Sequence, residues 1–411
     1  MSLTARLVPG GVPHEPPVGG RARPWLILAA LTVGRVAFGY QLQTVATLEQ
    51  TLTALFHLTY TEYGVLLGAY LSLGVFAALP LGVLGHWLGD RLVIAVGFVL
   101  MIVGPCVSAW SGTAESIIVG RMIAGVGGVG MLVLQGKVIA DWFSGARFMI
   151  AVSIAVCGYP VGVDLVQLLL THWPATLGWR AGLLTGCVLP VVSLLLFLAS
   201  FRASPHAPEQ SQAFSLPNPR ECLLLVIAGM IWTAYTSGLQ GYLFYVSPTL
   251  AAHGGSAALI ALVVTAATWG QVPATLFGGG LAGRFGPLLV LVVGTLGLAI
   301  GTAGTALAGA PLLWGILVGI VGSIQPGVII AVGTMSARQA HRAVGMGIFY
   351  SLYYLGGAVA PALCGHAADL YGGPSGGLLA AAAIAALSIP LYLLHYRLSR
   401  LQPLPSPVAG D

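Results

Sequence analysis

Long apolar stretches separated by short polar breaks dominate this chain. Examples are PWLILAALTVGRVAFGYQLQTVATL, which begins at Pro24, and LVIAVGFVLMIVGPCVSAW, which begins at Leu92. A membrane-spanning helix needs about 20 apolar residues, whereas the strands of a membrane barrel alternate apolar and polar positions. The continuous runs therefore predict membrane-spanning helices and not strands.

The apolar runs predict twelve helices, six on each side of a polar, proline-bearing segment. The first six are expected at 24–46, 61–84, 92–111, 115–139, 147–170 and 181–201. The second six are expected at 221–250, 257–279, 288–308, 311–334, 345–366 and 377–397. The fold class is thus an all-α membrane protein with bundles at 24–201 and 221–397. A tail at 1–23, a linker at 202–220 and a tail at 398–411 complete the chain.

The composition agrees with a lipid-embedded fold. Hydrophobic residues make up 57% of the chain and charged residues 7%, whereas soluble domains carry about a quarter of their residues as charged side chains. The net charge of +5 comes from basic residues scattered singly, which excludes a nucleic-acid surface. The five cysteines lack metal-ligand spacing, and we expect neither a metal nor another cofactor.

The basic residues also predict the orientation, because loops rich in Lys and Arg stay on the cytoplasmic side. Alternate connections place Arg180 alone on one side. The other side holds Arg6, Arg21, Arg23, Arg91, Arg147, Arg202, Arg220, Arg284, Arg338, Arg342, Arg397 and Arg400. We therefore expect a multi-pass protein of the inner membrane with both termini in the cytoplasm.

Two pairs of arginines indicate an internal repeat. Arg91 and Arg284 follow similar segments and are 193 positions apart, and Arg147 and Arg342 are 195 apart. A six-helix unit repeated in one orientation places the substrate path between the halves.

Several short segments resemble motifs of the major facilitator superfamily. GGLAGRFGP at 279–287 is similar to the superfamily's G-x-L-A-D-R-x-G-R loop, and GHWLGDRLV at 85–93 keeps its acid and arginine. GRMIAGVGG at 120–128 is similar to the arginine motif of the fourth helix, and GKVIADWFSGAR at 136–147 resembles the cyanate and nitroimidazole permease group. The resemblance implies a monomeric carrier that works by alternating access, with gating roles for Asp90, Arg91 and Arg284.

Arg35 lies near the middle of the first predicted helix, about 16 Å deep at about 1.5 Å per residue. Inserting an ionisable side chain at such a depth costs about 2.5 to 3.5 kcal/mol, so we expect it to have a structural or functional role. One interpretation is that its planar guanidinium faces the central cavity and holds an anionic group. The other is a hydrogen bond to backbone carbonyls or to a glutamine of another helix.

Three more ionisable groups lie within the predicted spans. Arg121 and Asp164 are expected at similar depths on adjacent helices, so we expect a structural or gating ion pair between them. Asp164 is also the deepest acid and therefore a candidate proton carrier. Lys137 is expected to extend toward the cytoplasmic interface, with an anion relay as the alternative.

Polar and aromatic side chains on cavity-lining helices are candidates for solute contact. A site for a small polar solute needs a few placed hydrogen-bond groups among apolar walls. The candidates are Tyr40 and Gln43 on the first helix, Trp232, Tyr235, Thr236 and Gln240 on the seventh, Gln325 on the tenth and Tyr353 on the eleventh. Helix packing explains Gln325 and Tyr353 equally well.

The balance of three basic groups to one acid within the spans predicts a small organic or inorganic anion as the substrate. The alternatives are a proton-coupled exporter of neutral or cationic drug-like compounds and a transport-dead sensor of the same fold. No HExxH, GxSxG or GxxxxGK[ST] motif occurs in the spans. An enzyme and an ATP-driven pump are therefore excluded, and a gradient, with the proton as the candidate coupling ion, must drive uphill transport.

Overall fold

The computed structural model describes residues 23–110, 112–143, 145–171, 177–201, 217–338 and 341–401, which form helices joined by short turns. The first half contains α1 Arg23–Thr47, α2 Glu49–Phe56, α3 Tyr60–Ser72, α4 Gly74–Leu88, α5 Asp90–Trp110, α6 Ala114–Trp142, α7 Gly145–Thr171, α8 Gly178–Leu184 and α9 Val188–Ser200. The second half contains α10 Pro219–Ala252, α11 Ala257–Phe285, α12 Pro287–Leu307, α13 Pro311–Ile320, α14 Pro326–Met335, α15 Arg342–Tyr371, α16 Ser375–Ala386 and α17 Ser388–Leu401.

Twelve candidate spans are long and apolar enough to cross a membrane, by length and composition. This confirms the predicted all-α class with six spans in each half. The pairs α3 and α4, α8 and α9, α13 and α14, and α16 and α17 are broken helices that the sequence predicted as single ones. The tail residues 1–22 and 402–411 and the linker residues 202–216 lie outside the described residues.

The repeat is regular in the structure and has a different spacing from the predicted one. The helix starts Tyr60 and Ala257, Asp90 and Pro287, Ala114 and Pro311, Gly145 and Arg342, and Gly178 and Ser375 each differ by 197 positions. The turns before Asp90 and Pro287 both contain a glycine with positive φ, 85° at Gly89 and 86° at Gly286. The arginine spacings of 193 and 195 therefore missed the true register by up to one helical turn.

Helix α2 was not predicted from the hydropathy pattern, whereas α3 begins at Tyr60, one residue before the predicted start. Thr59 caps α3 with a reciprocal capping box, because its side chain accepts from Glu62 N and Thr59 N donates to Glu62 Oε2 at 2.8 Å. Such a box satisfies two backbone donors that a helix start otherwise leaves free. The cap fixes where the second span begins, close to the other half.

The two halves pack tightly along α3 and α15. A Cβ atom at Gly64 or Gly68 of α3 would collide with the backbone of α15 at Pro361 and Ala358. Small residues let helices approach closely where lipid gives no hydrophobic drive for association. We call the end of the bundle where α3 begins and α15 ends the sealed end, and the opposite end, which holds Arg91 and Arg284, the basic end.

Candidate functional site

Arg35 lies at the centre of α1, twelve residues from each end of the helix Arg23–Thr47. Its Nη1 donates to Gln135 Oε1 at 3.0 Å, and Gln135 in turn donates to the Leu31 carbonyl at 3.1 Å. The Nε of Arg35 is buried, and no described residue accepts a hydrogen bond from it. Within the described residues, no carboxylate lies at ion-pair distance from this guanidinium. The glutamine contact predicted as an alternative therefore exists, but it leaves the charge of Arg35 uncompensated.

Four tyrosines surround Arg35 within electrostatic range of its guanidinium. Tyr350, Tyr353 and Tyr354 come from α15 of the second half, and Tyr159 comes from α7 of the first. Arg35, Tyr159, Tyr350 and Tyr353 are only partly buried, whereas Tyr354 is buried. This group, the Arg35 cluster, therefore joins the two halves at mid-depth and presents one cation among phenol groups.

Helix α10 adds aromatic side chains that contact the Arg35 cluster through Tyr353. The repeat spacing makes Trp232 the counterpart of Arg35, since 35 plus 197 is 232, and both side chains are partly buried. The Trp232 ring lies 6.4 Å from the Tyr353 ring and 5.7 Å from the Tyr235 ring, measured between centroids. Repeat-related positions on the first and seventh spans thus lie near the same tyrosine, Tyr353, one with a guanidinium and the other with an indole ring.

Gln240, on α10, also contacts Tyr353. Its Nε2 donates to the Tyr353 hydroxyl at 3.4 Å, whereas its Oε1 is buried without a partner. Of the predicted solute-contacting residues, the structure thus brings together Arg35, Trp232, Tyr235, Gln240 and Tyr353.

Asp164 joins the two halves at a separate point, toward the sealed end. Its Oδ1 accepts from Thr265 Oγ1 at 2.6 Å and its Oδ2 accepts from Trp269 Nε1 at 3.0 Å, both on α11. Both donors are neutral, so this buried carboxyl group has no basic partner in these two contacts. The predicted ion pair between Asp164 and Arg121 is not formed.

Arg121 is held within the first half instead. It donates to the carbonyls of Gln41, Leu42 and Leu67 at 3.0 to 3.3 Å and lies over the Tyr70 ring at 5.3 Å. Carbonyl oxygens and an aromatic face stabilise a buried cation without an acid. The sequence could not distinguish this arrangement from a carboxylate partner at similar depth.

Lys137 pairs with Asp90 near the basic end, at 2.9 Å from its carboxylate oxygens. Its side chain is 48% exposed, and its extension to the cytoplasmic interface stays a prediction. Arg91 and Arg284 are exposed at the basic end. The guanidinium carbon of Arg284 lies 5.4 Å from the centroid of the Phe285 ring. A gating role for these groups stays a prediction.

The remaining predicted contacts are engaged elsewhere. The Tyr40 hydroxyl bonds Thr185 Oγ1 at 2.6 Å, and Thr236 Oγ1 donates to the carbonyl of its own helix. Gln325 is fully buried and bonds Thr295 within the second half. Gln43 donates to the Leu243 carbonyl at 3.0 Å and so forms part of the sealed end.

Further groups at the sealed end were missed by the sequence analysis. Asp369 of α15 accepts hydrogen bonds from Tyr60 N and Thr61 N at 2.8 Å, so one half caps a helix of the other. Glu49 lies outside the spans, is 8% exposed, and burial raises its pKa to about 7. Asp369 lies three residues past the predicted end of its helix, and Glu49 lies in a helix that was not predicted, so neither counted as a deep acid.

Known proteins that resemble this chain are membrane transporters. The sequence model of the Major Facilitator Superfamily matches residues 29–250 and 222–410. The 3-(3-hydroxy-phenyl)propionate transporter of Escherichia coli (strain K12) is 26% identical over 359 residues, which cover 82% of this chain and 86% of that protein.

Solved structures with the same fold cover the chain almost completely. A bacterial homologue of the human lysosomal transporter Spinster, inward-facing and unoccupied, aligns with a TM-score of 0.77 at 15% identity, over 95% of this chain and 100% of that one. The inward-open xylose transporter XylE from E. coli aligns with a TM-score of 0.75 at 17% identity, over 94% and 98%.

Proposed function

This chain belongs to the Major Facilitator Superfamily of secondary transporters, and we propose that its solute is a small aromatic carboxylate. The uncompensated guanidinium of Arg35 carries the proposal, because a cation at mid-depth with a buried, unpartnered Nε needs an anion to offset its charge. A planar guanidinium fork matches the geometry of a carboxylate. The enclosing tyrosines and Trp232 suit a flat apolar body on the same molecule.

The resemblance to a hydroxyphenylpropionate transporter supports the same class of solute. The drug-exporter alternative requires a site for neutral or cationic compounds. A positively charged cluster disfavours a cation, so we propose the anion carrier and leave the exporter as an outcome of the test. The resemblance of 136–147 to cyanate and nitroimidazole permeases stays a prediction.

We propose that the described conformation opens toward the cytoplasm. Hydrogen bonds between the halves cluster at the sealed end, at Gln43, Tyr60, Tyr63 and Asp164, and the two solved relatives are inward-facing. The excess of basic residues assigns the basic end to the cytoplasm and the sealed end to the periplasm. We also propose that the protein is a monomer in the inner membrane, with bundles at 24–201 and 221–397.

Asp164 is the proposed proton-binding residue for coupling. Its carboxylate accepts two hydrogen bonds across the halves, and a proton on either oxygen would remove one acceptor site. Protonation therefore weakens the contact that holds the halves together at this point. Opening of the sealed end and proton binding then become linked steps.

Uptake into proteoliposomes tests the proposed solute class. The matched pair is 3-phenylpropionate and its uncharged amide, which have nearly the same shape. We expect saturable, gradient-driven uptake of the carboxylate and none of the amide, because the amide cannot neutralise Arg35. Transport of the amide or of an aromatic amine, without transport of the carboxylate, would favour the exporter.

A further inference from the structure

One polar group beside the Arg35 cluster has no function in the fold as described. The Oε1 atom of Gln240 is buried and accepts no hydrogen bond from any described residue, and Gln240 is only 5% exposed. A buried polar atom left unpaired costs about 1 to 3 kcal/mol. An unpaired atom of this kind beside the solute path indicates that the solute supplies its hydrogen-bond partner.

Gln240 has a donor directly beside its free oxygen. Its single hydrogen bond to a described residue runs from Nε2 to the Tyr353 hydroxyl at 3.4 Å. Because that hydroxyl accepts from Gln240, its own hydrogen stays available for donation. An acceptor and a donor, both uncharged, therefore lie side by side on α10 and α15.

This pair is offset from the cation along the transport axis. Gln240 follows Trp232 by eight residues toward the sealed end, about 12 Å at about 1.5 Å per residue. Trp232 is the repeat counterpart of Arg35 and shares its depth. Tyr353 links the two positions, since it lies in electrostatic range of Arg35 and in contact with Gln240. A solute that reaches both must be elongated, with an anion at one end.

A hydroxyl matches the far end. It donates one hydrogen bond, to Gln240 Oε1, and accepts one, from the Tyr353 O–H. A second carboxylate would leave Gln240 Oε1 unpaired, and an ammonium would leave the Tyr353 donor unpaired. The aromatic walls between the two ends accommodate a ring.

We infer that Gln240 and Tyr353 determine specificity by binding a hydroxyl at the far end of the transported acid. The preferred substrate is then a hydroxylated aromatic carboxylate over its unhydroxylated analogue. The inference rests on the proposed function, the transport of aromatic carboxylates. It adds a second recognition point that is independent of the charge.

Binding of two acids that differ by one hydroxyl tests this inference. The probes are 3-(3-hydroxyphenyl)propionate and 3-phenylpropionate, titrated calorimetrically into the purified full-length protein. We expect the hydroxylated acid to bind at least about tenfold more tightly, because the analogue leaves the buried Gln240 Oε1 unpaired. In Gln240→Leu the ratio of the two dissociation constants should fall to about one. Tyr353→Phe should lower the ratio in the same direction.

The control is Gln271→Leu, which removes another buried glutamine, one that bonds the backbone of its own helix. This variant should keep the wild-type ratio. Equal affinities of the wild type for the two acids, or an unchanged ratio in Gln240→Leu, would overturn the inference and leave the proposed function standing. Binding of neither acid to the wild type would overturn both.

Discussion

Asp164 and Trp269 join the two halves of the transporter through a hydrogen bond of 3.0 Å from the indole Nε1 to the carboxylate Oδ2. Thr265 donates to the other carboxylate oxygen at 2.6 Å. The contact lies toward the sealed end from the Arg35 cluster, where the halves must separate for the path to open on that side. Its strength depends on the carboxylate, since both partners are donors.

The substitution Asp164→Asn should weaken this contact. The asparagine amide nitrogen cannot accept from either partner, so one of the two hydrogen bonds is lost, at about 1 kcal/mol or more. We expect a larger population in which the sealed end is open. Distances between spin labels at Leu55 and Leu370, two exposed positions of opposite halves at that end, measure the population. An unchanged distance distribution would show that Asp164 does not hold the halves together.

Asp164→Asn also removes the proposed proton-binding group. We expect uptake by this variant to lose its response to an imposed pH gradient, whereas exchange of solute across the membrane without a gradient continues. Proteoliposomes loaded with unlabelled solute separate the two activities. Gradient-driven accumulation at the wild-type level would exclude Asp164 as the coupling residue.

Asp369→Ala should favour opening of the same end by a different route. The carboxylate of Asp369 caps the start of α3 from the other half, and loss of a helix cap costs about 0.5 to 2 kcal/mol. A cost of 1.4 kcal/mol would shift the equilibrium about tenfold. The Thr59 capping box lies within α3 and should preserve the helix. Asp369→Asn, which retains one acceptor oxygen, should give an intermediate shift of the label distances.

Glu49 predicts a pH dependence of stability. Burial raises its pKa from 4.5 to about 7 in the folded state, so the folded protein holds a proton there that the unfolded chain releases above about pH 4.5. Stability therefore falls as the pH rises from about 4.5 to about 7, by an amount on the order of 3 kcal/mol, and is level above that window.

The thermal midpoint of the purified protein across this pH range measures the effect. Glu49→Gln should flatten the part of the profile that Glu49 causes, because the amide does not titrate. Glu115→Gln, an exposed acid at the start of α6, serves as the matched control and should leave the profile unchanged. A profile of Glu49→Gln that overlays the wild type would contradict the prediction.

Loss of the charge at Arg121 should lower the stability of the protein and leave solute binding intact, the reverse of what we expect at Arg35. Arg121 holds three carbonyls of α1 and α3, so Arg121→Met should lower stability, by about 2 kcal/mol or more. It should leave the affinity for aromatic acids within about twofold, because Arg121 is outside the Arg35 cluster. Thermal unfolding and calorimetric titration of the same preparation give both quantities. Loss of affinity without loss of stability would place Arg121 in the binding site.

The sequence predicted the helices well because lipid imposes a simple requirement. Each span must be apolar over about 20 residues, and the breaks between spans are polar. Breaks inside spans, as at Leu73 between α3 and α4, carry no polar signal and were missed. The repeat was detected, but its register was wrong, because arginines need not occupy the same position relative to a helix end.

The candidate site was predictable only in part. Arg35 could be predicted because an ionisable side chain at mid-depth in the membrane is costly and so indicates a role. Its relation to Trp232 through the repeat could be recognised only from the helix starts in the structure. Partners of buried ions depend on how helices face each other, which depth alone does not fix. The predicted pairing of Arg121 with Asp164 failed for that reason.

The central claim is that the unpaired charge of Arg35 binds the solute's carboxylate. Uptake of 3-phenylpropionate by Arg35→Gln, compared with Arg35→Lys and with Arg180→Gln, tests it most directly. We predict loss of uptake in Arg35→Gln, partial uptake in Arg35→Lys and normal uptake in Arg180→Gln, with equal amounts of folded protein. Uptake by Arg35→Gln at the wild-type rate and affinity would contradict the account.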